Sequence, residues 1–230
     1  SSVRALKYVE FKGLHAHIGS QILDIKPFAE EARLLLSLAQ KYQAEEINIG
    51  GGLGISYLPD QVPPSVDDLA RAVAEVLKGK TKAKLILEPG RSIVGRAGIT
   101  LYTVGVVKEI PGVRKYVIVD GGMSDNPRPI LYDAQYEALL GNKLEAKAEE
   151  VVRVAGRFCE SGDILVKEAC LPRVAAGDLL VTTCTGAYNY SMASNYNRVP
   201  RPAMVLVNNG RARLLVKRES YKDLTTNDAV

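Results

Sequence analysis

The segment Glu46-Ile-Asn-Ile-Gly-Gly-Gly-Leu-Gly54 runs from a short apolar stretch directly into a cluster of four glycines. Its first four residues predict a brief buried strand that ends at the glycines. Apolar residues recur near helical spacing on both sides of it, over residues 27–42 and 65–78. Two more short apolar strands are predicted outside these helices, over residues 14–18 and 85–87. Strands and helices that alternate at this spacing indicate parallel βαβ units.

The pattern changes near Gly98, where strands alone replace the alternation. Segments rich in Val, Leu, Ile and Thr predict strands over residues 99–108, 115–119, 151–155, 164–167, 178–183, 203–207 and 212–217. Only residues 133–140 and the C-terminal tail look helical. We therefore predict an α/β domain over residues 1–98 and a mostly β domain over residues 99–230.

The predicted α/β domain has only three strands, which would leave both sheet edges exposed. A parallel sheet of this kind is usually doubly wound or closed into a barrel. The chain also begins with Ser1 rather than methionine, almost directly before a predicted strand. We therefore expect further elements, either upstream in a longer protein or from another chain.

Composition excludes several classes of protein. The 230 residues are 47% hydrophobic and 24% charged, which is typical of globular chains and excludes collagen and extensive disorder. Three cysteines are too few for a disulfide scaffold. The net charge of +4 is small and the basic residues are scattered, so we expect neither nucleic acid nor a membrane as partner. No signal peptide or membrane span is visible, and a cytoplasmic location is the default expectation.

Both histidines lie in Gly13-Leu-His-Ala-His-Ile-Gly-Ser20, at the end of a predicted strand. Alternation along a strand predicts that His15 and His17 share a face. They could be a polar pair that finishes the strand, a metal pair, or rings that contact a ligand. No third ligand lies nearby in sequence, so we predict no metal site.

The glycines at positions 50, 51, 52 and 54 allow two interpretations. They could turn several backbone N–H groups toward an anion such as phosphate, or they could form a tight structural turn. Neither a dinucleotide fingerprint nor a P-loop fits, because no helix and no Lys-Ser/Thr pair follows the glycines.

Two other motifs carry reactive side chains. Glu88-Pro-Gly-Arg91 ends the third predicted strand, where active sites of parallel α/β proteins lie, although a surface ion pair is the alternative. Cys159-Glu-Ser-Gly-Asp163 places a thiol and two carboxylates in one turn. Cys170 and Cys184 fall in or beside apolar strand patterns and are predicted to be buried and inert.

Taken together, seven motifs resemble one enzyme family over nearly the whole chain. In order they are His17-Ile-Gly-Ser20, Gly50-Gly-Gly-Leu-Gly54, Glu88-Pro-Gly-Arg91, Asp120-Gly-Gly-Met123, Arg128-Pro-Ile-Leu-Tyr132, Cys159-Glu-Ser-Gly-Asp163 and Gly186-Ala-Tyr188. This set resembles the group IV, alanine-racemase-like pyridoxal-phosphate decarboxylases. The resemblance implies the later part of a pyridoxal-phosphate-binding (β/α)8 barrel, followed by a β-barrel or β-sandwich domain with substrate-binding and dimer-contact loops.

The resemblance also implies a role for each matching residue. Glu88 matches the carboxylate beside the pyridine nitrogen of pyridoxal 5′-phosphate, His17 the imidazole stacked on its ring, and Cys159 the proton donor. The implied cofactor-binding residues are His17, Ser20, Gly51, Gly52, Glu88, Gly90, Arg91 and Tyr188. The implied substrate-binding residues are Arg91, Arg128, Tyr132, Glu160 and Tyr188.

The implied reaction is the decarboxylation of meso-2,6-diaminopimelate to L-lysine and CO2, the last step of lysine biosynthesis. Ornithine and arginine decarboxylases share the first three motifs, whereas the forms of the Arg128 and Cys159 motifs are closer to the diaminopimelate branch. Because the family's Cys-Glu loop enters the partner subunit's site, the resemblance implies a homodimer with shared active sites.

The chain departs from the family in one respect. The lysine that anchors the cofactor lies in an early Ala-x-Lys-Ala-like motif, and no such motif occurs here; Lys7 and Lys12 have the wrong context. The chain therefore resembles a C-terminal portion that is inactive in isolation. An ornithine- or arginine-type decarboxylase and a non-catalytic relative or fragment, which keeps only the dimer surface and phosphate site, remain the alternatives.

Overall fold

The computed structural model describes residues 3–229, apart from the side chain of Arg4. It divides into two compact units, residues 1–97 and 98–230. The first unit contains β1 (Gly13–His15), α1 (Lys26–Tyr42), β2 (Glu46–Asn48), α2 (Val66–Leu77), β3 (Lys84–Ile86) and the short α3 (Arg91–Val94). Its strands form a parallel sheet in the order β1-β2-β3, with Leu14, Ile47 and Leu85 in register. The predicted parallel βαβ arrangement is confirmed.

Local sequence signals explain where the two long helices begin and end. Ser65 Oγ accepts a hydrogen bond from the N–H of Asp68 (3.1 Å), and Asp68 Oδ2 accepts one from the N–H of Ser65 (2.9 Å). This capping box satisfies donors that α2 would otherwise leave free. Pro27 lies in the first turn of α1, where its missing N–H has no cost. Gln43 ends α1 with a left-handed φ of 50°.

The apolar faces of α1 and α2 form one core with the sheet. Phe28, Ala32 and Ile47 are almost completely buried at its centre. Other members of this core are Leu35, Leu36, Ala39, Ile49, Leu53, Leu69, Val73, Val76 and Leu77. The packing of α1 and α2 against the sheet holds the three strands in place, and it thereby positions the segments that follow each strand.

The second unit is mostly β, as predicted. It contains β4 (Thr100–Ile110), β5 (Arg114–Val119), α4 (Arg128–Tyr132), β6 (Ala138–Leu140), β7 (Glu150–Ala155), β8 (Ile164–Leu171), β9 (Leu179–Thr182), α5 (Asn189–Met192), β10 (Met204–Asn208), β11 (Arg211–Val216) and α6 (Tyr221–Leu224). Six strands form a mixed sheet in the order β6-β9-β4-β5-β7-β8. Within it only β5 and β7 pair in parallel.

Turn chemistry and alternation account for these strands. Asn209 and Gly210 have φ values of 49° and 71° and join β10 to β11 in a separate hairpin, which is the usual role of Asn-Gly. In β4, Tyr102 and Val104 are buried whereas their neighbours Leu101 and Thr103 are exposed. This alternation buries one face of the sheet.

One predicted helix is wrong. Residues 133–140 do not form a helix: α4 ends at Tyr132, and Asp133 takes a left-handed φ of 53° that turns the chain away. Residues 138–140 instead form β6, which pairs with β9. Their short apolar run does not distinguish a helix from a strand, and the partner strand decides. The helix predicted in the tail is confirmed as α6.

Within residues 3–229, no helix is both long enough and apolar enough to cross a membrane.

Candidate active site

The carboxyl ends of the three parallel strands bring polar side chains together in the first unit. Glu88 follows β3, and its Oε1 accepts a hydrogen bond from Asn48 Nδ2 at 2.7 Å. Glu88 Oε2 lies 3.6 Å from Nε2 of His15, the last residue of β1. The backbone N–H of Glu88 also donates to the carbonyl of Gly50 at 2.7 Å. All three strands thus contribute to the placement of this carboxylate.

The glycine segment forms a tight turn against the His17 segment. The N–H of Gly51 donates to His17 Nδ1 at 3.1 Å, so a neutral His17 carries its proton on Nε2. A Cβ on Gly51 would collide with the carbonyl oxygen of Glu88, and one on Gly52 with that of Gly19. Gly52 also has a φ of 105°, which favours glycine. Glycine is therefore required here for close backbone approach.

Arg91 begins α3 and links three segments of the first unit. Its side chain is only 7% exposed; one terminal nitrogen donates to Ser20 Oγ at 2.7 Å and the other to the hydroxyl of Tyr57. The preceding residue, Gly90, is exposed, and a Cβ there would meet no atom within 4 Å. A buried cation, a hydroxyl and an open space therefore lie next to one another.

The two histidines make separate contacts at the end of β1. Strand β1 ends at His15, so its alternation does not extend to His17, and each ring has its own contact.

Glu31 on α1 is a buried carboxyl that sequence reasoning missed. Both of its oxygens lack a hydrogen-bond partner among the described residues. Burial raises the pKa of Glu31, and His15 partly offsets this. Among residues 3–229, no group of three or more His, Cys, Asp or Glu side chains could hold a metal ion.

A second set of predicted residues meets in the β unit. Arg128, the first residue of α4, is 8% exposed and donates from Nη1 to the hydroxyl of Tyr136 at 2.6 Å. Its guanidinium carbon lies 5.8 Å from the ring centroids of both Tyr136 and Tyr188. Tyr188 is half exposed and has a φ of 70°. Tyr132 ends α4 and is largely exposed.

Cys159 and Glu160 lie exposed in the turn between β7 and β8, and Asp163 anchors that turn. Asp163 is 3% exposed; its Oδ1 accepts from the N–H of Met123 (2.7 Å) and its Oδ2 from the N–H of Phe158 (2.9 Å). Burial raises the pKa of Asp163, while these two hydrogen bonds lower it.

Tyr196 contacts the same turn from the C-terminal segment. Its hydroxyl donates to the carboxylate of Glu160, and its ring lies 5.7 Å from that of Phe158. The hydrogen bond to Glu160 raises the pKa of Tyr196. Two contacts, one polar and one aromatic, therefore support the Cys159 turn from outside the motif.

The two predictions about inert cysteines have different outcomes. Cys184 is buried, as predicted, but Cys170 is exposed. Within β8, Ala169 and Leu171 point inward, and alternation therefore places Cys170 on the outer face.

Sequence reasoning also missed Asn48, Tyr57, Tyr136 and Tyr196, all of which contact predicted site residues. The one available signal was Asn48, a polar residue between two buried isoleucines directly before the glycines. Tyr57 and Tyr196 contact residues that are distant in sequence. Tyr136 reaches Arg128 because the chain turns back at Asp133.

The chain is similar to proteins of one family. Residues 22–186 match the family model described as "Pyridoxal-dependent decarboxylase, C-terminal sheet domain". A protein named diaminopimelate decarboxylase from Bacillus subtilis (strain 168) is 46% identical over 234 residues, which cover 96% of this chain and 53% of that protein. One of the same name from Synechocystis sp. is 49% identical over 95% of this chain and 49% of its own length.

A solved structure gives the same result for the fold. The crystal structure of diaminopimelate decarboxylase from M. jannaschii in co-complex with L-lysine has a TM-score of 0.90 and 41% identity, and the match covers 99% of this chain and 54% of that one. The chain spans about half the length of the curated relatives it matches. The matched part of the family is its C-terminal sheet domain, and the fold of this chain is that of the corresponding half of the solved structure. The chain belongs to the family of pyridoxal-dependent decarboxylases.

Proposed function

We propose that the protein to which this chain belongs removes CO2 from meso-2,6-diaminopimelate and releases L-lysine, as the last step of lysine biosynthesis. One observation carries the proposal: Glu88, His17, Ser20 and Arg91 converge at the carboxyl ends of adjacent parallel strands. The names of the relatives support the substrate. The free thiol of the exposed Cys159 suits a reducing, cytoplasmic setting.

The residues of the first unit fit pyridoxal 5′-phosphate. An open space lies beside Gly90, the residue directly before Arg91 at the start of α3. The buried guanidinium of Arg91 and the hydroxyl of Ser20 beside it are donors suited to a phosphate. Gly51 and Gly52 contribute by close packing, since the N–H of Gly51 is already donated to His17.

When bound, pyridoxal phosphate supplies the electron sink that stabilises the negative charge left on the substrate carbon as CO2 departs. Glu88 is the carboxylate proposed to hold a proton on the pyridine nitrogen, and Asn48 orients it. His17 is the imidazole proposed to stack on the cofactor when it is bound, and the N–H of Gly51 orients the imidazole. Both side chains have a hydrogen-bond partner in the first unit, which restricts their orientations before a ligand binds.

The β unit supplies the groups proposed to bind substrate. Diaminopimelate carries an ammonium and a carboxylate at each end. The fork of Arg128 suits the distal carboxylate, and the carboxylate of Glu160 suits the distal ammonium. Tyr132 and Tyr188 are the other proposed contacts from this unit, and Arg91 is the proposed contact from the first unit.

Cys159 is proposed to return a proton to the carbon that has lost CO2. A thiol can serve as a general acid toward a carbanion, because it donates its proton readily and is reprotonated by solvent afterwards. Its position in an exposed turn supports a second proposal, that Cys159 and Glu160 complete the partner subunit's site in a homodimer.

A substrate panel tests the reaction. The full-length protein is assayed with diaminopimelate, ornithine and arginine, and we expect CO2 release with diaminopimelate to be strongly preferred. A preference for ornithine or arginine would move the enzyme to the neighbouring branch. If none of the three is decarboxylated, although the protein binds pyridoxal phosphate, the chain belongs to a non-catalytic relative.

Mixed dimers test the shared site. Subunits with Cys159→Ala and subunits with Glu88→Ala are each expected to have little activity. Mixing them should regenerate one site with an intact Glu88 and an intact Cys159 per mixed dimer. If subunit exchange is verified by mass and activity does not return, Cys159 acts within its own chain or not at all.

We further propose that these 230 residues alone do not anchor the cofactor covalently, because they lack the Ala-x-Lys-Ala-like motif. Borohydride reduction in the presence of pyridoxal phosphate, followed by peptide mass mapping, tests this. We expect no specific label. A stoichiometric label on one lysine would contradict the proposal.

A further inference from the structure

Tyr136 is a buried tyrosine beside Arg128 that belongs to none of the seven motifs. Its side chain is 2% exposed. Its hydroxyl oxygen accepts a hydrogen bond from Arg128 Nη1 at 2.6 Å and lies 3.4 Å from Oδ1 of Asn189. Since arginine can only donate, the single hydroxyl proton of Tyr136 is available to Asn189. One hydroxyl therefore joins two segments of the β unit.

The backbone explains how Tyr136 reaches Arg128. Asp133 ends α4 in the left-handed conformation, with a φ of 53°, so that the chain turns back after a single helical turn. Tyr136 therefore lies beside the residue that begins the helix. Its own chain then continues directly into β6, which fixes it to the sheet. Tyr136 thus lies two residues before a paired strand, in the short segment between α4 and β6.

Asn189, which accepts the second hydrogen bond of the Tyr136 hydroxyl, is also buried. Asn189 begins α5 and is 3% exposed, and it directly follows Tyr188. The guanidinium of Arg128 lies at equal distance, 5.8 Å, from the rings of Tyr136 and Tyr188. The hydroxyl of Tyr136 therefore connects Arg128 with Asn189, the residue next to Tyr188, and the proposed function assigns both Arg128 and Tyr188 to substrate.

We propose that Tyr136 is a positioning residue that holds the Arg128 guanidinium in place for the distal carboxylate of the substrate; this inference rests on the proposed function. An unsupported arginine would lose side-chain freedom when the carboxylate binds, and binding would weaken accordingly. A hydrogen bond at Nη1 and two aromatic rings whose centroids lie 5.8 Å away restrict the guanidinium before the carboxylate arrives. The side chain of Tyr136 touches Arg128 and has no assigned contact with substrate.

Two ligands separate this role from a general effect on the site. L-Lysine keeps one carboxylate after the other has left as CO2, whereas cadaverine has the same carbon chain and amines but no carboxylate. In the full-length enzyme, Tyr136→Phe should raise the inhibition constant of L-lysine about tenfold and leave that of cadaverine unchanged. The KM for diaminopimelate should rise about tenfold as well, with kcat within about threefold of wild type.

Two further variants guard against a purely structural explanation. Tyr116→Phe removes a hydroxyl from β5 in the same unit and should change none of these constants. Tyr136→Phe introduced into an Arg128→Lys background should add little to the weakening already present, because both changes act on one interaction. Thermal unfolding midpoints establish that each variant folds.

The outcomes are distinguishable. If Tyr136→Phe weakens L-lysine and cadaverine equally, or if its effect is the same in the Arg128→Lys background, Tyr136 does not act through Arg128 and the inference is wrong. If the wild-type enzyme neither decarboxylates diaminopimelate nor binds L-lysine, the proposed function fails and this inference falls with it.

Discussion

Asn48 and Glu88 meet through a side-chain amide that has two partners at once. Its Nδ2 donates to Glu88 Oε1 at 2.7 Å, and its Oδ1 accepts from the N–H of Gly50 at 2.8 Å. Asparagine suits this position because it carries both a donor and an acceptor, whereas aspartate cannot donate when ionised. The end of β2 thereby fixes both the catalytic carboxylate proposed here and the start of the glycine turn.

Asn48→Asp should impair the enzyme in a pH-dependent way. The new carboxyl group would face Glu88 at hydrogen-bonding distance, and two like charges raise the pKa of one of them. We expect kcat/KM at pH 8 to fall about tenfold or more. The ratio of variant to wild-type activity should rise as the pH falls, because a protonated carboxyl can again donate to its neighbour.

A matched control exists in the β unit. Asn142 Nδ2 donates to Asp178 Oδ1 at 2.9 Å, and Asn142 Oδ1 accepts from the N–H of Leu179 at 3.1 Å. Asn142→Asp therefore places a second carboxylate beside Asp178 outside the proposed site, where Lys143 offsets part of the added charge. It should lower stability slightly without changing kcat. If both variants lose equal activity, Asn48 has no special relation to Glu88.

Gly90→Ala tests whether the space at the start of α3 holds the cofactor phosphate. The added methyl group meets no atom of the chain within 4 Å, so the thermal unfolding midpoint of the cofactor-free protein should not change. Affinity for pyridoxal phosphate, measured by absorbance titration, should fall about tenfold because the methyl group occupies the proposed phosphate space. Gly105→Ala, which makes only ordinary contact with a carbonyl oxygen, is the control. Unchanged affinity in Gly90→Ala would place the phosphate elsewhere.

Asp163→Asn should loosen the turn that carries Cys159. The amide NH2 would replace one of two oxygens that each accept a backbone N–H, and a donor would then face a donor in a buried position. Hydrogen exchange followed by mass spectrometry should show faster exchange in peptides that contain Phe158 and Met123, by about tenfold. Peptides from β4 and β5 are the internal reference. Equal acceleration there would indicate general unfolding instead of a local role.

Features of this fold that depend on neighbouring residues can be predicted from the sequence, whereas contacts between distant segments cannot. Strands and helices with a clear period were predicted, because local sequence determines both caps and alternation, as at Ser65 and in β4. The motif residues at strand ends were identified, since parallel strands align their carboxyl ends at one edge. The contacts between them were not: Asn48 reaches Glu88 across two neighbouring strands, and the partner of Glu160 is Tyr196, from a distant segment.

The incorrect predictions have a related physical cause. The helix predicted over residues 133–140 failed because a left-handed Asp133 and the pairing of β6 with β9 override a weak local pattern. Cys170 was assigned to the interior because its strand is apolar, although its place between inward-pointing Ala169 and Leu171 puts it outside. In both cases the deciding information lies in the partner strand or in the register.

The last prediction concerns Glu219, which ties the C-terminal segment to the rest of the β unit. Its Oε1 accepts from Arg201 Nε at 2.8 Å, while its Oε2 accepts from the N–H of Arg201 at 2.8 Å and from Asn195 Nδ2 at 2.6 Å. These bonds, that of the Arg201 side chain above all, lower the pKa of Glu219 from 4.5 to about 2. A carboxyl group with a depressed pKa stabilises the fold fully above its ordinary pKa, and this contribution is lost as the pH falls from about 4.5 toward 2.

Glu219→Gln should therefore lower the free energy of unfolding by about 1–2 kcal/mol at pH 7, less than the pKa shift alone implies because solvent screens part of the interaction. Urea unfolding at pH 7, 4 and 3 should show the difference between variant and wild type shrinking at each step. The exposed Glu145 provides the control, since Glu145→Gln should have no effect at any of these values. A difference as large at pH 3 as at pH 7 would mean that Glu219 stabilises the segment through its shape and packing and that its charge contributes nothing.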